Sequence, residues 1–155
     1  GGHKMAGGFT INEDKIPTFR NLLIRNFEKF YTNSSNDLNL FLDSTIAPTA
    51  LNENFFQEIN SLAPFGSGNA EPKFVIENIK VLSSNLVGDM HIKTILLGKD
   101  GSTFKGFAWN AKNTPLGQLL DQKIKKDINV AGKMRLNEWR GKKEVEFIIE
   151  DISLN

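Results

Sequence analysis

Two short stretches of this chain carry side chains suited to gripping phosphates and bases. The first is Gly1-Gly2-His3-Lys4-Met5-Ala6-Gly7-Gly8-Phe9. Glycine has no Cβ, so backbone N–H groups can converge on an anion. A His and a Lys beside such a loop add side-chain donors. Gly1, Gly2 and His3 are therefore candidate substrate-phosphate contacts, with Lys4 as a fourth; the alternative is a tight turn in which His3 only caps backbone. The motif begins at the first residue with no strand before it, as expected of the tail of a larger protein. The second stretch is Trp139-Arg140-Gly141-Lys142-Lys143. An aromatic ring there would stack on a base while the neighbouring cations meet phosphates. The competing role for Trp139 is to fold back over the end of the domain. Lys133 and Arg135 alternate with Met134 and Leu136, so they face outward and suit phosphate contacts. Lys93 alternates with His91 on one strand, and Lys105 shares a strand face with Phe107 and Trp109. Phe107 and Trp109 read as core, because large aromatics dominate small cores. His91 reads as an ordinary strand-surface histidine, the alternative being a place on the ligand face with Lys93.

The elements that must position these residues fall into two segments. In the first, Phe9-Thr10-Ile11 is a short strand candidate, and Ile16, Phe19, Leu23, Phe27 and Phe30 recur at helical spacing. Asn12 is a candidate cap, and Pro17 fits the first helical turn. Leu38 to Leu42 is a second strand candidate. Asn52 then caps a helix with an apolar stripe of Phe55, Phe56, Ile59 and Leu62, which reads as core packing. The boundary is Leu62-Ala63-Pro64-Phe65-Gly66-Ser67-Gly68-Asn69-Ala70-Glu71-Pro72, an ordered connector with Phe65 to bury.

The second segment reads as all-β with one short helix. Phe74 to Leu82 is its first strand, with a change of phase near Glu77 and Asn78 that predicts a bulge. Met90 to Leu97 follows, then the turn Lys99-Asp100-Gly101 and a third strand from Thr103 to Trp109. Thr114-Pro115 opens a short helix carrying Leu116, Leu119 and Leu120. Ile128 to Leu136 and Glu144 to Glu150 alternate as the last two strands. Three strands, a helix and two strands is the element order of the oligonucleotide-binding (OB) fold. The expected class is thus α+β: a partial α/β segment, then a five-stranded OB-fold β-barrel with one short helix.

Composition narrows the function further. The net charge is only +1, yet residues 1–72 hold 5 Lys and Arg against 8 Asp and Glu, and residues 73–155 hold 14 against 10. The densest basic strip runs from Lys123 to Lys143 and includes Lys125, Lys126, Lys133, Arg135, Arg140 and Lys142. Such a strip attracts a polyanion, or is simply a solvated face. There is no cysteine, which suits a reducing, cytoplasmic compartment. No apolar run is long enough to span a bilayer, so no membrane role is expected.

Three motifs, in order, give the chain a resemblance to a known family. The glycine-His run Gly1 to Gly8 resembles that of DHHA1 domains, with Gly7 where alanine is common. The connector Leu62 to Pro72 resembles the one that follows DHHA1 in the RecJ family, with Ala70 in place of the usual proline. Leu136-Asn137-Glu138-Trp139-Arg140-Gly141 resembles the hairpin between the last two OB strands of that family. The chain is thus similar to the C-terminal part of RecJ proteins, the single-stranded-DNA-specific exonucleases of the DHH phosphoesterase superfamily. The resemblance implies a DHHA1-type portion at residues 1–62, an ordered connector at 63–72 and an OB domain at 73–155. It implies a parent enzyme that digests single-stranded DNA from the 5′ end with Mn2+ or Mg2+. The metal-binding residues of such enzymes lie in an upstream DHH domain, so this chain alone is expected to bind no metal, to hold no catalytic residue and to be inactive. Single-stranded DNA is the expected partner, and Lys93, Lys105, Lys133, Arg135, Trp139, Arg140, Lys142 and Lys143 are the expected DNA contacts. Single-strand-binding protein is a further candidate partner. The rival functions are an RNA- or tRNA-binding module and a protein-docking module.

Overall fold

A computed structural model describes residues 2–3, 6–31, 39–120 and 126–154, without the side chains of His3, Phe30, Tyr31 and Trp139. Packing divides the chain into two compact units, Gly1–Leu40 and Phe41–Asn155. The break falls ahead of the connector at 63–72 because the second helix packs with the sheet that follows it.

In the first unit, β1 (Gly2–His3) pairs antiparallel with β2 (Ala6–Gly7). The strand expected at Phe9-Thr10-Ile11 is not formed. Phe9 instead lays its ring against Phe19, with centroids 4.5 Å apart, and residues 9–11 have no ladder partner among the described residues. A 3₁₀ turn, Glu13–Lys15, leads into α1 (Ile16–Tyr31), which carries Pro17 in its first turn. Asn12 accepts the Lys15 N–H through its backbone carbonyl at 2.9 Å, but its side chain makes no cap bond.

The second unit opens without the strand expected at Leu38 to Leu42; Leu38 lies outside the described residues and 39–42 are irregular. The strand comes slightly later, as β3 (Ser44–Thr45), parallel to the start of β4. Asn52 caps α2 (Glu53–Asn60), its Oδ1 accepting the Phe55 N–H at 3.0 Å. Phe55, Phe56 and Ile59 pack against the sheet core, and Phe55 meets the Phe74 ring at 5.9 Å. Leu62 lies beyond the helix and is exposed. The connector is a shaped turn: Gly66 and Asn69 exchange backbone bonds, and Asn69 Nδ2 donates to the Leu62 and Pro64 carbonyls.

The strands that follow are β4 (Phe74–Val87), β5 (His91–Leu97), β6 (Thr103–Ala108), β7 (Ile128–Trp139) and β8 (Lys142–Leu154), with α3 (Pro115–Leu119) between β6 and β7. They pair in the order β4-β5-β6-β8-β7, and β7 pairs back onto β4, closing a ring. The connection β6–β8 is parallel and the other four are antiparallel. The register shift between Ile76 and Ile79, with Asn78 at φ 57°, is the bulge predicted from the phase change. It lets β4 coil, pairing with β7 by its first half and β5 by its second. A matching shift occurs in β7 at Ala131/Gly132, where a Cβ on Gly132 would meet the Ile148 carbonyl oxygen.

Inside the ring sit Ile76, Ile79, Leu96, Phe104, Leu120, Ile128, Val130, Met134, Val145, Phe147 and Ile149. Thr114 caps α3, accepting the Gly117 N–H at 3.1 Å and donating to the Ala111 carbonyl at 2.7 Å. This brings Leu120 fully into the core. No described helix is long and apolar enough to cross a membrane.

Candidate nucleic-acid interface

Strand alternation decides which side chains leave the ring. Along β6, Phe104, Gly106 and Ala108 point inward, so Lys105 and Phe107 point outward. The inner wall is tight here: a Cβ on Gly106 would lie 2.8 Å from both Ile149 and Thr94. At Gly106 no larger side chain fits on that side. Phe107 and Trp109, expected in the core, are therefore on the outer face. Phe107 is covered there by its neighbours, while Trp109 is 52% exposed.

These two rings form a cluster with His91 at the start of β5. The Phe107 and Trp109 centroids lie 4.6 Å apart, and His91 meets Trp109 edge-on at 4.7 Å. The Asn110 N–H donates to His91 Nδ1 at 3.0 Å, which fixes the chain just after β6 against β5. The Arg135 guanidinium, from β7, lies 5.4 Å from the Phe107 centroid and 5.5 Å from that of Trp109. Both distances are within cation–π range.

Beneath the cluster lies a carboxylate. In the β7–β8 register Arg135 stands directly opposite Glu146. Glu146 faces away from the core, yet its side chain is only 1% exposed. Arg135 donates to its Oε2 at 3.0 Å, and Lys93 and Asn137 donate to its Oε1 at 3.0 and 3.3 Å. Burial by itself raises this carboxyl; the bonds from Arg135 and Lys93, the Lys93 charge and the Asn137 amide together outweigh it and hold the group below the usual carboxylate range. Two hollows flank the site. One, of about 550 Å³, is bounded by Trp109, Leu116, Lys133, Arg135, Glu71 and Glu150. The other, of about 300 Å³, is lined by Lys93, Lys105, Asn137, Lys142 and Glu144.

Four expected contact residues, Lys93, Lys105, Lys133 and Arg135, thus share this face, and Lys142 borders it. Lys143 turns toward α2 and pairs with Glu53 at 3.6 Å. Arg140 and Gly141, at φ 51° and 74°, form the two-residue turn between β7 and β8, closed by the Trp139–Lys142 pair. The Trp139 side chain, Gly1, Lys4 and the His3 side chain lie outside the described residues, as do Lys123 and Lys125; Gly2 is exposed. Alternation with Lys93 left His91 open to the ligand face, whereas Phe107, Trp109 and Glu146 were not recognisable as site residues from sequence alone. The one available signal was the small-residue face Gly106/Ala108, which marks the crowded inner wall. Among the described residues no group of three or more His, Cys, Asp or Glu side chains is placed to hold a metal ion. The described residues therefore do not fit a divalent-metal centre.

Comparison with known proteins agrees with this architecture. The chain is 27% identical over 154 residues to the single-stranded-DNA-specific exonuclease RecJ of Dickeya dadantii, covering 98% of this chain and 26% of that protein. The corresponding protein of Escherichia coli is 26% identical over 153 residues, with the same coverage. The chain thus spans about a quarter of the length of these relatives. Among solved structures, RecJ from Thermus thermophilus in complex with Mn2+ superposes with a TM-score of 0.64 at 24% identity, over 99% of this chain and 21% of that one. The Mg2+ complex of the same protein gives 0.63 at 25% identity, over 98% and 22%. The family model described as the RecJ OB domain matches residues 42–151, nearly the whole of the sheet unit. By that match and by its strand order, this chain belongs to the RecJ OB domain family.

Proposed function

We propose that the outer face of β5, β6, β8 and β7 binds single-stranded DNA, as the DNA-holding part of a RecJ-like 5′-to-3′ exonuclease. The observation that carries this reading is the exposed Trp109 ring, braced by His91 and Phe107 and faced by the Arg135 guanidinium. A fixed aromatic beside cations is what a sequence-tolerant single-strand site needs, since every base has a face to stack. The parent enzyme would take its Mn2+ or Mg2+ on residues outside this chain, and residues 1–62 would supply the DHHA1-type portion, with Gly1, Gly2, His3 and Lys4 contacting a substrate phosphate. Those assignments rest on the motif resemblance.

The test is anisotropy of a labelled oligo-dT against the purified chain. Trp109→Ala should weaken binding by roughly 1–3 kcal/mol, the usual worth of one stacked base, with the melting temperature nearly unchanged. Unchanged affinity in this variant would take Trp109 out of the site. A matched RNA oligomer that binds more tightly than DNA would favour the RNA-module alternative.

A further inference from the structure

Of the cations on or beside the proposed face, five have a carboxylate at close range, and Lys142 is a sixth with no ion pair among the described residues. Lys73 meets Glu150 at 2.6 Å, Lys93 meets Glu146 at 3.0 Å, and Lys105 meets Glu144 at 2.5 Å. Lys133 meets Glu71 at 2.5 Å, and Arg135 shares Glu146 at 3.0 Å. The five positive charges thus oppose four negative ones. Glu146 is buried and held by three donors, so it cannot swing aside. Glu71 reaches Lys133 from the connector, 62 positions away in sequence, so the fold and not the local chain makes this pair. Meanwhile the Trp109 ring stays open.

We infer that Glu146 and Glu71 are specificity-determining residues: by neutralising the cations of this face, they make it select ligands by their exposed bases rather than by their phosphate charge. The inference rests on the single-strand reading above and names what that site rejects. A compensated surface has little field to draw in a polyanion. A phosphate that engages Lys93 or Arg135 must compete with Glu146 and exchanges one anion for another, so fewer counterions are released. A base stacking on Trp109 needs no such exchange. Duplex DNA hides its bases and polyphosphate has none, so both offer this face only the interaction it resists.

The experiment measures binding of the wild-type chain, Glu146→Gln and Glu71→Gln to oligo-dT, to a duplex and to inorganic polyphosphate at several salt concentrations. Both variants should bind duplex and polyphosphate severalfold more tightly than wild type, with a slope of log K against log[salt] steeper by up to about 0.7–0.9 per newly engaged phosphate. Oligo-dT affinity should change less. Glu71 sits in a half-exposed pair, so its variant keeps the test decisive if Glu146→Gln folds poorly. Wild-type binding to oligo-dT with no gain toward duplex or polyphosphate in the folded variants would overturn the inference alone. Absence of oligo-dT binding by the wild type would overturn the single-strand reading and the inference with it.

Discussion

The two faces of the β5–β6–β8–β7 sheet both carry stacked aromatics, but the surroundings of those rings differ. The inner face stacks Phe104 on Phe147 edge-to-face at 6.4 Å, among aliphatic neighbours. The outer face stacks Phe107 on Trp109 at 4.6 Å, among Arg135, Lys93 and Glu146. Rings on the inside are closed off on every side. On the outside Phe107 is covered by its neighbours, while Trp109 is braced on one side and left open on the other. On the single-strand reading proposed above, Trp109, with a cation beside it and its burial incomplete, is the ring offered to a base, and Phe104 and Phe147, where neither holds, are core.

The largest expected effect comes from the inner face. Phe147 is fully buried at the centre of the ring, and Phe147→Ala should cost about 3–5 kcal/mol of stability in a denaturant titration. Trp109→Ala, on the other face, should act on ligand affinity rather than on folding. A comparable loss of stability from both would erase the distinction between the faces.

A smaller effect sharpens the outer face. The folded chain holds the Glu146 carboxyl below the usual range, so the unfolded chain takes up its proton at higher pH. Its stabilising contribution is then complete above the ordinary glutamate range and lost as pH falls toward the folded value. Denaturant midpoints followed from neutral to acid pH should drop more steeply for wild type than for Glu146→Gln. At neutral pH that variant should lose about 1–3 kcal/mol, since Lys93 and Arg135 are exposed enough to rehydrate. Parallel acid profiles would show that Glu146 is not held as described.

The element order was readable because local chemistry and tertiary packing agree. Asn52 and Thr114-Pro115 announce their helices, the phase slip at Glu77/Asn78 announces the bulge, and Arg140-Gly141 announces the last turn. The strands placed at 9–11 and 38–42 failed for lack of that agreement: an apolar run makes a strand only when a neighbour supplies a ladder. The site was half legible. Alternation identified Lys133 and Arg135 as outward-facing but left the faces of Lys93 and Lys105 open, and alternation has no term for a second layer on the outside of a ring. Glu146 looked like a solvated residue because its strand neighbours Val145 and Phe147 are core. Its burial comes from Arg135 and Lys93, which lie 11 and 53 positions away.

The smallest effect lies at the edge of the comparison. Lys143 and Glu53 are both close to half exposed, and Lys143→Ala should change stability by no more than about 0.2–1 kcal/mol in the same titration. A larger loss would mean that α2 is held to the β7–β8 hairpin mainly by charge, rather than by Phe55, Phe56 and Ile59.

The β7–β8 pairing has one more consequence. β8 meets β6 only at Phe147 and Ile148, while its ladder with β7 runs on to Trp139 and Lys142. Beyond Leu136 and Val145 the two strands form a ribbon with no third strand in its ladder among the described residues, about 10 Å long at roughly 3.3 Å per residue. Such a ribbon twists and bends more readily than a sheet. The ion pairs from Lys105 of β6 to Glu144 and from Glu53 of α2 to Lys143 are then what tie the arm to the rest of the unit once its ladder is down to two strands.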